Sequence, residues 1–353
     1  EEKITMKHLL AHTSGVKGDY FKDFGYGKDA LEKIVKSMSA IPQINPPGRI
    51  FSYCNSGFYV AGRVIEVVTG KTFEEAITEL VSESLGLKNI HFFPEEIITE
   101  RFAVGHLITE DRISVARPWA IGRAIHPAGG IVTNIKELLD YSAFYFSGRA
   151  SNRNRIISAD SFTRLITGRI DASPASKVAQ GWFAEEIDGV ATIQHGGGTN
   201  GQISLLMVFP EIDFSAAILT NSNEGSKATS LFSRMVVEDL LGLNPVILEP
   251  ATDYLERAEK IAGLYKGEMS DLEIFIEQRK IFIKEIPRVG FPDEDSEPAP
   301  PSTPQEISIS GEGFIINLSE PYLASAGEFI VNESGRLEGL RIGLRIYNKV
   351  LSL

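Results

Sequence analysis

The sequence predicts an α/β protein of the α+β type, in which an antiparallel sheet covered by helices is followed by a small C-terminal β-barrel. Apolar residues at helical spacing recur through much of the first half of the chain, and a group of short β-type runs divided by turn residues comes after it. Evenly spaced short strands fill the C-terminal part, which is typical of a barrel. At 353 residues the chain exceeds one typical domain, so two domains are expected.

The helices mostly precede the predicted sheet. The strongest helical segment, 55–68, has apolar residues at helical spacing and is followed by a glycine, which commonly ends a helix. The predicted helices of this part are 4–12, 55–68, 136–147, 158–167 and 228–242. The sheet is predicted from the runs 182–186, 191–195, 201–209 and 214–220, which have the pattern of an antiparallel meander.

The chain changes character near residues 248–252, and we place a boundary there between domains 1–250 and 251–353. A helix at 254–264 is expected to open the second domain, and the acidic, proline-rich stretch 293–305 is expected to be a loop. The predicted barrel strands are 272–276, 280–286, 306–309, 313–318, 328–331 and 337–347.

Composition argues against several partners. The 35 basic and 47 acidic residues give a net charge of −12, and nucleic acid is not expected as a partner because phosphate binding needs clustered Lys and Arg. No apolar run reaches the roughly 20 residues that span a bilayer, so no membrane partner is expected.

The single cysteine, Cys54, forbids an internal disulfide and a cysteine-based zinc site, and it favours a cytoplasmic location. We expect no metal and no cofactor.

Tyr53 and Asn55 are the first candidate site residues. They stand two positions apart on a loop just before the helix at 55–68, so the phenol and the amide are expected to face the same way. The alternative is structural, with Asn55 capping the helix and Tyr53 packing beside it.

His195, Gly196, Gly197 and Gly198 form the second candidate group. They close one predicted strand and open the next, and consecutive glycines at a strand edge often mark a place where another backbone comes close. An extended substrate along this edge would explain them. The alternative is an ordinary hairpin turn with a packed histidine.

Taken together, these motifs resemble the penicillin-recognising serine hydrolases, which include serine β-lactamases, DD-peptidases, class-C-like esterases and D-amino-acid peptidases. Residues 4–16 are similar to that family's "ITIRHLLTHTSGL" segment, and 47–48 with 53–55 to its Pro-Gly and Tyr-x-Asn elements. Residues 127–133 are similar to its Pro-Ala-Gly-Gly segment, and 195–197 stand where the family has its Lys-Thr-Gly strand motif, in a His-x-Gly form.

The resemblance implies a β-lactamase/transpeptidase-like fold, a lipocalin-like barrel and acyl transfer through a covalent serine intermediate. Tyr53 would move the proton, Asn55 would orient the substrate amide or the catalytic Lys, and His195 would replace the strand lysine. Gly196 and Gly197 would let the substrate backbone pair with the strand, and a backbone N–H at Gly198 would help to stabilise the oxyanion. The substrate is expected to be a peptide or an ester, with small peptides, including those with D-amino acids, favoured.

The family's nucleophile is the serine of a Ser-x-x-Lys motif, which precedes the segment matched by residues 4–16. We therefore expect it upstream of residue 1, on a separate N-terminal fragment that packs into the same fold. Ser14 and Lys17 have the spacing of a Ser-x-x-Lys motif. Gly15 and Gly18 oppose the helix that would place the two side chains one turn apart. Cys54 is a second alternative nucleophile, since thiolate and His form a known pairing.

Other functions remain open within this resemblance. A carboxylesterase or a β-lactamase would keep the same motifs and differ in the pocket, whereas a non-catalytic ligand sensor or assembly module would keep the fold without the nucleophile. We also expect a homo-oligomer, by analogy with an archaeal self-compartmentalising peptidase group. Because no motif lies in 251–353, the barrel is expected to serve assembly rather than chemistry.

Overall fold

The computed structural model describes residues 3–109, 112–119, 121–150, 154–168, 170–173, 176–245, 254–291, 295–311, 313–316, 325–332 and 334–350. These residues form an antiparallel sheet with helices, followed by a closed antiparallel barrel, as the sequence predicts. The predicted domain boundary at 248–252 falls outside the described residues.

Most of the helices lie in the first domain, and the predicted segments each contain one or two of them. The helices are α1 (Met6–Leu10), α2 (Ala30–Ser37), α3 (Asn55–Thr69), α4 (Phe73–Ile77), α5 (Pro94–Ile97), α6 (His126–Gly129), α7 (Ile135–Ser142), α8 (Phe144–Ser147), α9 (Ala159–Ile166), α10 (Gly225–Arg234) and α11 (Tyr254–Ile261). Short 3₁₀ turns occur at Met38–Ala40, Arg123–Ile125 and Pro210–Ile212, and π-helical turns at Thr78–Glu83 and Met235–Leu240.

The first domain contains a six-stranded antiparallel sheet whose strands follow one another in chain order, which confirms the predicted meander. A separate two-stranded hairpin, β1 (His106–Ile108) and β2 (Ile113–Val115), precedes it. The sheet strands are β3 (Ile170–Asp171), β4 (Lys177–Val178), β5 (Phe183–Ile187), β6 (Val190–Thr199), β7 (Gln202–Phe209) and β8 (Phe214–Thr220).

Helix α3 begins and ends as its sequence predicts, with one correction. Cys54 rather than Asn55 is the N-cap residue, and its Sγ accepts a hydrogen bond from the Gly57 N–H at 3.2 Å. Gly70 ends the helix in the left-handed conformation, with φ of 68°. Gly62 allows α6 to lie close to α3, since a Cβ there would be 2.4 Å from Cγ of Pro127.

The second domain is a closed barrel of antiparallel strands with the order β10-β11-β12-β13-β14-β15-β16-β9. Its interior is filled by apolar side chains rather than left open, and α11 packs against it through Ala258 and Ile261. The strands are β9 (Gly263–Lys266), β10 (Ser270–Glu277), β11 (Lys280–Pro287), β12 (Gln305–Ser310), β13 (Gly313–Ile316), β14 (Ser325–Val331), β15 (Leu337–Ile342) and β16 (Arg345–Lys349).

Two predictions for the barrel are wrong in detail. The helix predicted at 254–264 ends at Ile261, and its last residues begin β9. The run 337–347 is two strands rather than one, because the chain turns at Gly343 and Leu344, which have φ of 54° and 68°. Within the predicted loop 293–305, the described residues before β12 have no regular structure.

The turn between β15 and β16 packs on the first domain. The Tyr53 N–H donates to the Leu344 carbonyl at 2.8 Å, and Arg341 donates to the Phe51 carbonyl at 3.2 Å. Leu344 also packs against the apolar cluster around Phe51. The barrel is therefore joined to the loop that precedes α3.

Gly62→Ala should destabilise the protein by about 1–2 kcal/mol. The added methyl group must displace Pro127, and this overpacking outweighs the roughly 1 kcal/mol of helix propensity that alanine adds. Gly129→Ala is the matched control, because a Cβ there meets its nearest neighbour, Cδ1 of Ile121, at an ordinary 3.9 Å. Urea unfolding measures both variants, and equal stabilities would contradict the close contact between α3 and α6.

Candidate active site

A large cleft of ≈1910 Å³ lies between the sheet, α6 and the barrel turn. The predicted site residues Tyr53, Asn55, His195, Gly196, Gly197 and Gly198 all line it. The segment at 127–133, which carries the predicted Pro-Ala-Gly-Gly motif, lines the same cleft. The fold thus brings together motifs that are as much as 142 positions apart in the chain.

Tyr53 and His195 meet across this cleft. The Tyr53 hydroxyl is 3.5 Å from Nε2 of His195, and both side chains are half-buried. Burial raises the pKa of Tyr53 and the charge of Arg345 opposes this, but the pKa remains above its ordinary value of 10.0. The phenol is therefore protonated at neutral pH.

The protonation state of His195 follows from its other contact. Nδ1 lies 2.5 Å from the Gly196 carbonyl. A carbonyl oxygen only accepts, so Nδ1 carries the proton and Nε2 is left to accept from Tyr53. Burial lowers the pKa of His195 below 6.5, although the contact with Gly196 partly offsets it. The ring is a neutral acceptor at pH 7, so it supplies no positive charge to the cleft.

The glycines after His195 lie on a strand that is longer than its neighbour. Strand β6 has 10 residues, but its pairing with β5 ends where Phe183 faces Gln194. From His195 to Thr199 it pairs with β7 on one side. The glycine positions 196–198 are exposed, so their edge is open to another extended backbone.

Asn55 is held by a carboxylate that the sequence did not single out. Its Nδ2 donates to Oδ1 of Asp19 at 2.8 Å. Asp19 is 3% exposed and pairs with Arg345, which reaches it from the start of β16. Because the carboxylate accepts from the amide nitrogen, the Asn55 carbonyl oxygen is directed elsewhere.

The two alternative nucleophiles do not have the required geometry. Ser14 is 0% exposed, and the segment from Ser14 to Lys17 is not helical, with Gly15 at a φ of 70°. Cys54 is buried at the N-terminus of α3, and this burial raises the pKa of its thiol to about 11. Ser14 and Cys54 do not line the cleft.

His12 is a site residue whose role the sequence analysis did not anticipate. Its ring stacks on Tyr53 with centroids 4.2 Å apart, and its Nδ1 accepts from the Cys54 N–H at 2.9 Å. Burial lowers its pKa from 6.5 to about 3, with a smaller contribution from His195. His12 therefore supports Tyr53 as a neutral ring.

The barrel, which the sequence predicts to serve assembly rather than chemistry, contributes residues to the cleft as well. Residues 342–345 line the cleft, and the guanidinium carbon of Arg345 is 5.2 Å from the Tyr53 ring centroid. Glu268 accepts from the Asp19 N–H at 2.8 Å. No motif or periodicity in 251–353 identifies these residues, because their role depends on how the two domains dock.

Among the described residues, no group of His, Cys, Asp and Glu side chains could hold a metal ion. In the same residues no helix is long and apolar enough to cross a membrane.

The family model described as Beta-lactamase matches residues 1–236, and the chain belongs to this family of serine hydrolases. Penicillin-binding protein 4 from Amycolatopsis lactamdurans is 31% identical over 278 residues, which are 75% of this chain and 72% of that protein. The recognition of the family from its separate sequence motifs is confirmed.

Several solved structures share the fold over 98% of the chain. SurE has a TM-score of 0.73 at 20% identity, and 79% of its chain is covered. A second SurE structure contains D-Leu. The octameric penicillin-binding protein homologue from Pyrococcus abyssi has a TM-score of 0.58 at 21% identity, with 77% of its chain covered. These likenesses support the fold of both domains, including the barrel.

Stability should depend on pH through His12. Its pKa in the folded protein, about 3, lies below the ordinary 6.5, so the unfolded chain binds the additional proton and stability falls as pH decreases through this window. Between pH 7 and pH 5 this amounts to about 2 kcal/mol.

The variant His12→Asn removes this titration while it keeps an acceptor for the Cys54 N–H, and Asn tolerates the left-handed φ of 53° at this position. Urea unfolding at the two pH values should give a decrease for the wild type that exceeds that of the variant by about 2 kcal/mol. Equal decreases in the two proteins would contradict a buried, neutral His12.

Proposed function

We propose that this chain forms part of the active site of a serine peptidase that hydrolyses small peptides, including those with D-amino acids, through an acyl-enzyme. The observation that carries the proposal is the meeting of Tyr53 and His195 beside the open edge of β6. Membership of the beta-lactamase family supports the serine mechanism.

In the proposed reaction the serine oxygen attacks the substrate carbonyl and gives its proton to the phenolate form of Tyr53, which the nearby Lys cation would favour. The tetrahedral intermediate then collapses, the carbon–nitrogen bond breaks, and Tyr53 returns a proton to the leaving amine. Water hydrolyses the acyl-serine in a second round of the same transfers. In the protonated form, the Tyr53 hydroxyl donates a hydrogen bond to Nε2 of His195, which holds the phenol in the cleft.

The open edge of β6 is proposed to bind the substrate backbone. An extended peptide that pairs with Gly196 and Gly197 would present its carbonyl to the N–H groups of this edge. A donor at Gly198, together with the serine N–H, would stabilise the oxyanion, since preorganised donors are most effective where charge develops. Asn55, held by Asp19 at 2.8 Å, would orient the substrate amide or the catalytic Lys.

Two comparisons support the finer parts of this proposal. The SurE structure with D-Leu supports a pocket that accepts D-residues. The octameric state of the Pyrococcus abyssi homologue supports a homo-oligomer for this chain. A carboxylesterase would use the same groups, and a panel of p-nitrophenyl esters compared with D- and L-aminoacyl peptides distinguishes the two activities.

We further propose that the nucleophile is the serine of a Ser-x-x-Lys pair that is not among residues 1–353 and that lies beside Tyr53 in the cleft. The support for this is chemical. Ser14 and Cys54 are buried away from the cleft, whereas Tyr53, Asn55 and His195 converge in it and need a nucleophile.

Tyr53→Phe should lower kcat/KM by at least about 100-fold, because a positioned proton donor and acceptor contributes about 10²- to 10⁴-fold. Thermal stability should change little, since the hydroxyl's contact with His195 is long, at 3.5 Å. Tyr59→Phe is the matched control, because that buried hydroxyl has no hydrogen-bond partner among the described residues. Turnover of Tyr53→Phe near the wild-type rate would refute the role of Tyr53.

Labelling of active preparations with a fluorophosphonate, followed by native and denaturing mass spectrometry, tests the origin of the nucleophile. The label should lie on a Ser-x-x-Lys serine that is not in residues 1–353. A label on Ser14, or an active preparation with the mass of this chain alone, would contradict the proposal.

A further inference from the structure

The electrostatic surroundings of Tyr53 come from both domains. The described titratable and charged groups that face its ring or hydroxyl, or act on its charge, are His12, Asp19, Cys54, His195 and Arg345. Arg345 lies in the barrel, and the other four lie in the first domain.

Three of these groups are uncharged at pH 7. His12 and His195 have pKa values below 6.5 because both rings are removed from water. Burial keeps Cys54 in its thiol form, with a pKa of about 11. Of the groups that face Tyr53, Arg345 and Asp19 are therefore the two that bear charge.

Arg345 is fixed in place and permanently charged. Its Nη2 donates to Oδ1 of Asp19 at 2.9 Å, and its Nε donates to Oδ2 of the same carboxylate. Burial alone would lower the pKa of Arg345, but the bonds and charge of Asp19 raise it above its ordinary range. The bidentate arrangement fixes the guanidinium plane beside the Tyr53 ring.

The two charges do not cancel at Tyr53. Arg345 lowers the pKa of Tyr53, and Asp19 raises it by a smaller amount. Arg345 thus favours the phenolate on balance, in opposition to burial. Asp19 has a second effect, because it also holds Asn55 at 2.8 Å and is itself fixed by Glu268 of the barrel through its backbone N–H.

We propose that the barrel completes the active site, with Arg345 as a positioning residue that stabilises the developing phenolate of Tyr53 and, through Asp19, fixes the amide of Asn55. This inference rests on the proposed role of Tyr53 in proton transfer. It assigns to Arg345 the positive charge that neutral His195 does not provide.

The test is the pH dependence of kcat/KM for Arg345→Gln and Arg345→Lys in the complete active protein. Without the guanidinium, the pKa of Tyr53 rises, and kcat/KM at neutral pH should fall about 10-fold for each unit of that rise. The loss should shrink as pH increases toward this pKa. Arg345→Lys keeps the charge and should recover part of the loss.

Arg341→Gln is the matched control. Arg341 belongs to the same hairpin and contacts the first domain through the Phe51 carbonyl and ring, but it pairs with Glu328 within the barrel. Its loss should disturb docking without a change in the pH profile. The double variant Asp19→Asn/Arg345→Gln avoids an unpaired buried carboxylate and should still lose kcat/KM at neutral pH.

The outcomes separate this inference from the proposed function. If Tyr53→Phe is inactive while Arg345→Gln or the double variant has the wild-type pH profile, the role of Arg345 is refuted and that of Tyr53 stands. If Tyr53→Phe is active, the proposed function fails first. A loss in Arg345→Gln that is equal at every pH and is matched by Arg341→Gln would indicate docking alone and would overturn the inference.

Discussion

The hydrogen bond from the Tyr53 N–H to the Leu344 carbonyl joins the loop before α3 to the barrel turn. This bond links the backbone of the first domain directly to the backbone of the barrel. Around it lie the contacts of Arg341 with Phe51 and of Arg345 with Asp19. The position of the phenol therefore depends on domain docking as well as on the first domain's own fold.

Local signals accounted for much of the fold. Turn residues and β-type runs predicted the order β5 to β8, and a helical apolar pattern ending before Gly70 predicted α3. The hairpin at Gly343 and Leu344 could not be predicted in this way. Leucine rarely adopts a left-handed conformation, so a strand-like run that contains it gives no sign of a turn.

The residues of the candidate site likewise fall into two groups, those that the sequence could predict and those that it could not. Tyr53, Asn55, His195 and the glycines at 196–198 stand in short motifs that the sequence displays, and they line one cleft. His12, Asp19 and Arg345 act through burial and pairing between distant segments, which no spacing in the chain encodes. His12 could have been suspected from its place in the 4–16 motif, although its neutral state follows only from the packing of its ring against Tyr53.

The free edge of β6 has a consequence for which molecules reach it. An unpaired strand edge ordinarily attracts the edge of any other sheet, and proteins guard against such aggregation by covering or recessing the edge. Here the glycine edge is recessed in a cleft that α6 residues and the barrel turn also line. The residues that line the cleft thus stand between the free edge of β6 and the edge of another sheet, so the walls of the site also limit self-association.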